Sequence, residues 1–96
     1  MTNQPSDFNF TVNPEAGVSI HDEGIVILHI GSGTLYSSND TGARIWRGLE
    51  RRLSLEAIAN EISSAYQIDQ STAREHTIRF LAELERHALI QREVAL

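Results

Sequence analysis

The sequence contains no cysteine and no lysine, and only two of its 96 residues are prolines. Without cysteine the chain can form neither a disulfide framework nor a thiolate nucleophile or metal ligand, which fits a cytosolic protein. The N-terminus lacks a basic region followed by an apolar run, so no signal peptide is expected. The longest wholly apolar run, Ile25 to Leu28, is too short to span a bilayer. We therefore expect a cytoplasmic protein that makes no membrane contact.

Basic residues are also missing from the first part of the chain. Residues 1–40 carry five acidic side chains and no basic one, whereas residues 41–96 carry eight arginines against eight acids. The formal net charge is therefore −5. An acidic domain repels phosphate backbones and anionic lipids at long range. This charge distribution counts against nucleic acid as the main partner.

The pattern of turns and caps predicts a single α+β domain. Three segments rich in β-branched residues, at 17–21, 25–30 and 34–37, predict a three-stranded antiparallel meander. Three amphipathic helical segments follow, with caps expected at Asn39 or Asp40, at Ser54, and at Asp69 or Ser71. Three short helices packed on a small sheet predict a winged helix-turn-helix-like arrangement. Trp46 is expected in the core, with an indole N–H that needs one partner.

The loop between the second and third strands decides which side chains share a face. If residues 31–33 form this loop, Ile30 lies opposite Thr34. One face then carries Val26, Leu28, Ile30 and Tyr36, and the other carries Ile25, Ile27, His29 and Leu35. Both faces are largely apolar, whereas a sheet open to water on one side alternates apolar with polar residues. We expect the helices to cover one face, and the N-terminal arm or a partner to cover part of the other.

The two ends of the chain flank this domain. Residues 1–16 form an N-terminal arm, flexible or partly docked, in which 1–7 are expected to be mobile. The alternation of Phe8, Phe10 and Val12 favours an extended segment laid over apolar surface, and a loosely held arm is the alternative. The domain itself is expected over residues 17–91, with a tail at 92–96.

No catalytic or metal-binding constellation stands out. His76 and His87 would lie on one helix face but about 16 Å apart, so they cannot share an ion. No histidine–carboxylate cluster has ligand spacing, and no Gly-x-Ser-x-Gly elbow is present. Gly31-Ser32-Gly33 is better explained as a hairpin turn than as a phosphate-binding loop. We therefore expect no enzymatic activity, no cofactor and no metal.

Residues 39–46, which read Asn-Asp-Thr-Gly-Ala-Arg-Ile-Trp, follow a strand pair that ends in a small loop and a tyrosine. This arrangement resembles the PqqD-like proteins, and the resemblance covers about residues 17–91. Further matches are residues 54–59, Tyr66, residues 80–84 and the apolar pair at 89–90. Ser38 departs from the family, which usually carries an apolar residue there. The departure makes the end of the third strand more polar.

The resemblance implies a RiPP recognition element, a non-catalytic domain that binds the leader part of a ribosomally made precursor peptide. Such a domain presents the leader to a modifying enzyme or leader peptidase, and freestanding versions serve pyrroloquinoline quinone and lasso-peptide pathways. In the family, the leader adds as a strand to the third strand, in a groove beside the third helix. The residues that this implies for peptide binding are Thr34, Leu35, Tyr36, Ser37, Arg74, Thr77, Ile78 and Leu81.

Other interpretations of these residues remain open. Leu35, Thr77 and Leu81 could equally be ordinary core residues, and Arg74 could pair with an acidic leader residue. A winged-helix DNA-binding regulator is the alternative function, with Arg44, Arg47, Arg51 and Arg52 as a basic patch. The third helix, however, balances three arginines against three glutamates, which is not the charge of a groove-reading helix. An interaction subunit of a larger complex is a third possibility.

Overall fold

The computed structural model describes residues 9–93, which form two small antiparallel sheets and three helices. In chain order the elements are β1 (Asn9–Val12), β2 (Ala16–His21), β3 (Gly24–His29), β4 (Thr34–Asn39), α1 (Asp40–Glu50), α2 (Leu55–Tyr66), α3 (Gln70–Arg86) and β5 (Ile90–Glu93). The larger sheet has the strand order β2-β3-β4. The predicted α+β class, a three-stranded meander followed by three helices, is confirmed.

The smaller sheet joins the two ends of the domain. β1 pairs antiparallel with β5, so that Phe10 lies opposite Arg92 and Val12 lies opposite Ile90. Phe10 is buried, and the Arg92 guanidinium lies 5.8 Å from the centre of its ring. The expected extended segment thus has a strand as its partner. Residues 1–7, Phe8 and residues 94–96 lie outside the described residues, so the expectations for them are not tested. The division of the chain at residues 16 and 91 remains a prediction.

The register predicted for the β3–β4 hairpin is wrong by one residue. The loop spans residues 30–33, and the strands pair His29 with Thr34, Leu28 with Leu35 and Ile27 with Tyr36. The Ile30 N–H donates to the Glu15 carbonyl oxygen at 2.9 Å, which continues the pairing of β2 with β3 by one residue, so Ile30 lies beside β2 and outside the β3–β4 pairing. The Gly33 N–H donates to the His29 carbonyl oxygen at 2.8 Å, and Gly33 has a φ of 75°, which glycine adopts easily.

This shift exchanges the faces predicted for the β4 side chains, because the side-chain period of a strand is two residues. Tyr36 joins Ile25 and Ile27 on the inner face, which packs against the helices. Leu35 lies on the outer face beside Leu28. The helices cover the inner face, as expected, whereas Leu28 and Leu35 are exposed.

Each helix begins at one of its predicted caps. The Asn39 side chain accepts a hydrogen bond from the Gly42 N–H, Ser54 accepts one from Ala57, and Asp69 accepts one from Thr72. Such caps stabilise a helix because its first four N–H groups have no partner within the helix. Three side-chain oxygens, from an amide, a hydroxyl and a carboxylate, thereby fix where α1, α2 and α3 start.

The core lies between the inner face of the larger sheet and the three helices. Trp46 is fully buried at its centre, and its indole N–H donates to Glu50 Oε2 at 3.1 Å, as expected. α1 packs closely on α2 at Gly48, where a Cβ would stand 2.8 Å from Ile58 Cγ1. Within residues 9–93, no helix is both long and apolar enough to cross a membrane. The buried apolar residues are Phe10, Ile25, Ile27, Ala43, Ile45, Trp46, Leu49, Leu55, Ile58, Ala59, Ile62, Ala73, Leu81, Leu84, Leu89 and Ile90.

Candidate functional site

The last strand of the meander has one open edge. β4 pairs with β3 on one side, and in the described part of the chain no strand pairs with its other side. An edge strand carries backbone N–H and C=O groups that a further strand can bind. β4 is six residues long, so its open edge spans about 20 Å. This edge is the first component of the candidate site.

A groove of about 360 Å³ lies beside this edge, between β4, the first turn of α1 and α3. Ile45 and Phe80 give it an apolar part, and the surrounding side chains are polar. The lining residues are Ser38, Asn39, Thr41, Gly42, Ile45, His76, Arg79, Phe80 and Glu83. The groove therefore offers both apolar contact and hydrogen-bonding groups next to an unpaired strand.

Aromatic rings connect β4 to α3. The Tyr36 ring lies 6.1 Å from the ring of Phe80 and 5.2 Å from that of His87, measured between ring centres. Burial, and secondly the Glu83 carboxylate, raise the pKa of Tyr36 above its ordinary value. The shift favours the neutral phenol, which can donate as well as accept a hydrogen bond.

The motif at residues 39–46 builds the floor of the groove. Asn39 caps α1 and so fixes the angle at which the chain turns from β4 into the helix. Gly42 lets the helix approach β4 closely, because a Cβ there would stand 2.7 Å from Ser38 Cβ and 3.1 Å from Phe80 Cε1. Ile45 and Trp46 then anchor α1 in the core. The motif is thus the local structure that places helix, edge strand and groove together.

The four predicted site residues on the strand all lie on the open-edged β4. Tyr36 faces α3, whereas Leu35 and Ser37 alternate with it and lie on the outer face of the sheet. Thr34 lies at the start of the strand and is exposed. A strand added to this edge would therefore run beside all four residues.

The four predicted site residues on α3 do not lie in the groove. Thr77 and Leu81 are buried, and the Thr77 hydroxyl donates to the Ala73 carbonyl oxygen at 2.8 Å, so both occupy core positions. The Arg74 side chain binds Glu56 of α2 at 2.5 Å. Ile78 is exposed, but it lies about half a turn around the helix from Phe80. The peptide-binding role of the predicted set remains a prediction.

The sequence argument missed the α3 residues that do line the groove. His76, Phe80 and Glu83 follow the i, i+4, i+7 spacing of one helix face, and Arg79 lies beside them. The available signal was a phenylalanine within an otherwise polar row, next to the buried row of Ala73, Thr77 and Leu84.

Charges on the groove wall are paired. Arg79 lies 3.5 Å from Glu75, and Glu83 pairs with Arg86 and lies 3.6 Å from His87. The wall thus carries charges of both signs. Among residues 9–93, no group of three histidine, aspartate or glutamate side chains is arranged to hold a metal ion.

The family described as coenzyme PQQ synthesis protein D (PqqD) matches residues 24–90. The chain belongs to the PqqD family. The resemblance inferred from residues 39–46 is therefore confirmed. The matched span begins at β3 and ends at the first residue of β5, so it contains every element that lines the groove of this PqqD-family chain.

Two solved structures resemble the PqqD-family chain, each at a TM-score of 0.78 and 27% sequence identity. One is TbiB1 in complex with the TbiA(beta) leader peptide, and the match covers 84% of this chain and 94% of that one. The other is a lasso peptide synthetase B1 complexed with its leader peptide, and the match covers 85% of this chain and 96% of that one. No curated protein sequence matches the chain.

Proposed function

We propose that the chain binds the leader segment of a ribosomally made precursor peptide and presents it to a modifying enzyme or leader peptidase. The leader adds as a strand to the open edge of β4, in the cytoplasm, and the chain itself carries out no chemistry. The observation that supports this most strongly is the unpaired β4 edge beside an apolar groove. The membership in the PqqD family and the two similar leader-peptide complexes support it independently.

Strand addition accounts for both affinity and selectivity. Backbone hydrogen bonds to β4 hold any extended peptide, and alternate side chains select among sequences. One set of side chains points into the groove, toward Ile45 and Phe80. Because His76, Arg79 and Glu83 surround the apolar part, groove-facing residues with an apolar body and a polar end fit it best.

The alternative of a DNA-binding regulator has less support. Every arginine of α3 has a glutamate partner: Arg74 with Glu56, Arg79 with Glu75, and Arg86 with Glu83. In the proposed basic patch, Arg44 pairs with Asp40 and Arg51 pairs with Glu61. The net charge of −5 also opposes attraction to DNA, because that attraction comes from cationic side chains that release counterions. Peptide binding should therefore depend weakly on salt, and steep salt dependence would support DNA binding.

The test is a fluorescence titration with the leader segment of a precursor peptide encoded beside this gene. Phe80→Ala removes the apolar groove contact and should weaken binding about tenfold or more. Ile78→Ala is the matched comparison, because it removes an exposed apolar side chain from the far side of α3, and a loss of binding in this variant instead would favour the site predicted from the sequence. Circular dichroism spectra of both variants check that they fold. The proposal fails if no such leader binds at tens of micromolar, or if both variants bind equally well.

Proline variants test strand addition itself. Successive residues of a strand direct their N–H groups to opposite sides. Of Leu35→Pro and Tyr36→Pro, one therefore removes a donor to β3 and the other removes a donor at the open edge. The variant that removes the donor at the open edge should fold and lose leader binding. If both proline variants fold and both bind the leader as tightly as the wild type does, the leader does not bind by strand addition.

A further inference from the structure

The outer face of the larger sheet carries one apolar row that ends at the open edge of β4. Gly17, Leu28 and Leu35 lie opposite one another across the three strands. The Ile30 side chain lies over Gly17, with its Cδ1 4.0 Å from where a Cβ would stand. The row therefore presents Ile30, Leu28 and Leu35 in order across the sheet, on the side away from the helices.

Exposure along this row indicates a missing neighbour at the edge. Leu28 has a strand on each side and is 37% exposed, whereas Leu35 has a strand on only one side and is 65% exposed. A strand added to β4 would place a side chain directly beside Leu35, at cross-strand distance. The adjacent outer row, formed by Ser19, Val26 and Ser37, ends at the edge in a serine. Apolar contact is thus available at one outer position of β4 and not at the next.

We infer that Leu35 is a specificity residue that requires an apolar side chain on the outer face of the docked peptide. The inference rests on the proposed function and adds to it a second face of recognition. The groove contacts the residues that point toward α3, and Leu35 contacts a residue between them that points away. The preferred peptide is consequently apolar on both faces of its strand near Leu35, rather than alternating apolar with polar.

The occupant is the peptide strand and not a larger surface, because the row is narrow. Ile30 lies over β2, so about 14 Å and two strands separate it from a strand added to β4. A peptide strand reaches Leu35 and not Ile30. A second copy of the chain, or a globular partner laid on the outer face, would cover both side chains.

The experiment uses a phage-displayed library of random 12-residue peptides selected on the immobilised chain. Enriched peptides are then titrated against the wild type, Leu35→Thr and Ile30→Thr. Both variants replace a similarly exposed apolar side chain by the same smaller, β-branched and more polar residue. We expect Leu35→Thr to weaken binding about five- to tenfold, since cross-strand burial is lost, and Ile30→Thr to bind as the wild type does. Leu35 methyl protons should show cross-strand NOEs to an apolar peptide residue.

Each other outcome contradicts the inference in a distinguishable way. If no peptide is enriched, the proposed function and the inference both fail. If peptides bind Leu35→Thr and the wild type equally, the outer-face contact is absent while strand addition stands. Equal weakening by Ile30→Thr would show that a broader surface is bound. Dimerisation of the free chain that Leu35→Thr abolishes, measured by sedimentation, would assign the row to a second copy.

Discussion

Replacing Gly42 with alanine should destabilise the domain, although alanine is the better helix former. Gly42 is the third residue of α1, where the helix starts immediately after β4. The added Cβ would stand 2.3 Å from Ser38 Oγ and 2.7 Å from Ser38 Cβ. The hydroxyl can rotate away, but the Cβ is fixed to the backbone. α1 and β4 must therefore move apart, which also widens the groove.

The magnitude follows from two opposing terms. Overpacking of this kind costs about 1–3 kcal/mol, and the helix propensity of alanine offsets up to about 1 kcal/mol of it. The difference is a net loss of about 1–2 kcal/mol in the free energy of unfolding. For a domain of this size that is a fall of roughly 5–10 °C in Tm.

Urea denaturation followed by circular dichroism measures this loss. Gly17→Ala is the matched control, because its added Cβ meets nothing closer than 3.9 Å, and it should be neutral or slightly stabilising. Ser38→Gly removes the opposing Cβ, so the double variant should recover about 1 kcal/mol relative to the sum of the single effects. If Gly42→Ala is as stable as Gly17→Ala, or if its effect simply adds to that of Ser38→Gly, the close approach is not what requires glycine.

Two further predictions concern the edges of the site. Asn39→Ala removes the side-chain oxygen that accepts a hydrogen bond from the Gly42 N–H, and should lower the free energy of unfolding by about 1 kcal/mol. Asn39→Asp keeps a capping oxygen and should retain the stability that Asn39→Ala loses, whereas an unchanged stability of Asn39→Ala would contradict the prediction. Because burial raises the pKa of Tyr36, the folded state favours the neutral phenol; its stability contribution is present below pH 10.0 and is lost as the pH rises through the higher pKa of the folded state. Denaturation midpoints above pH 10 should therefore fall less in Tyr36→Phe than in the wild type, and equal falls would show that Tyr36 does not carry the effect.

Helices were predictable from this sequence because their signals are local. Each cap accepts a hydrogen bond from the N–H three residues later in the chain, and the caps are Asn39, Ser54 and Asp69. The apolar spacing that follows each cap identifies the buried face within one or two turns. None of these inferences requires knowledge of what the helix packs against. The same holds for the fold class, which depends on the order of elements alone.

The strand register was not predictable with the same certainty, since it depended on one residue. Ile30 is β-branched and continues the apolar run, so its side chain favours strand. The Gly33 N–H, however, bonds to the His29 carbonyl oxygen, which closes the loop over residues 30–33 and leaves Ile30 out of the pairing with β4. The turn geometry outweighed the strand preference of Ile30, and the single-residue shift exchanged Leu35 and Tyr36 between the two faces. The pairing of β1 with β5 was not predictable from local signals either, because it joins the two ends of the described chain.

The candidate site shows the same division between local and non-local information. The edge strand was identifiable because β4 is last in a meander. The groove wall was not, because it depends on the rotation of α3 about its axis, which Thr77 and Leu84 set by packing into the core. A rotation of half a turn separates the predicted Arg74 and Ile78 from the observed His76 and Phe80. Thr77 resolves the ambiguity physically: its hydroxyl bonds within its own helix, so a polar residue can lie at the centre of the buried face.

Binding at a strand edge separates affinity from selectivity in a way that suits a presenting protein. The backbone of β4 can hold any extended chain without proline at the bonded positions, so the hydrogen bonds tolerate changes in leader sequence. In the proposed arrangement, selectivity rests on a few side chains outside the ladder, Phe80 on the groove face and Leu35 on the outer face. Since Leu35 is exposed and supports no core contact, it can vary without loss of fold. Gly42 and Trp46 cannot vary in this way, because the position of the edge depends on them.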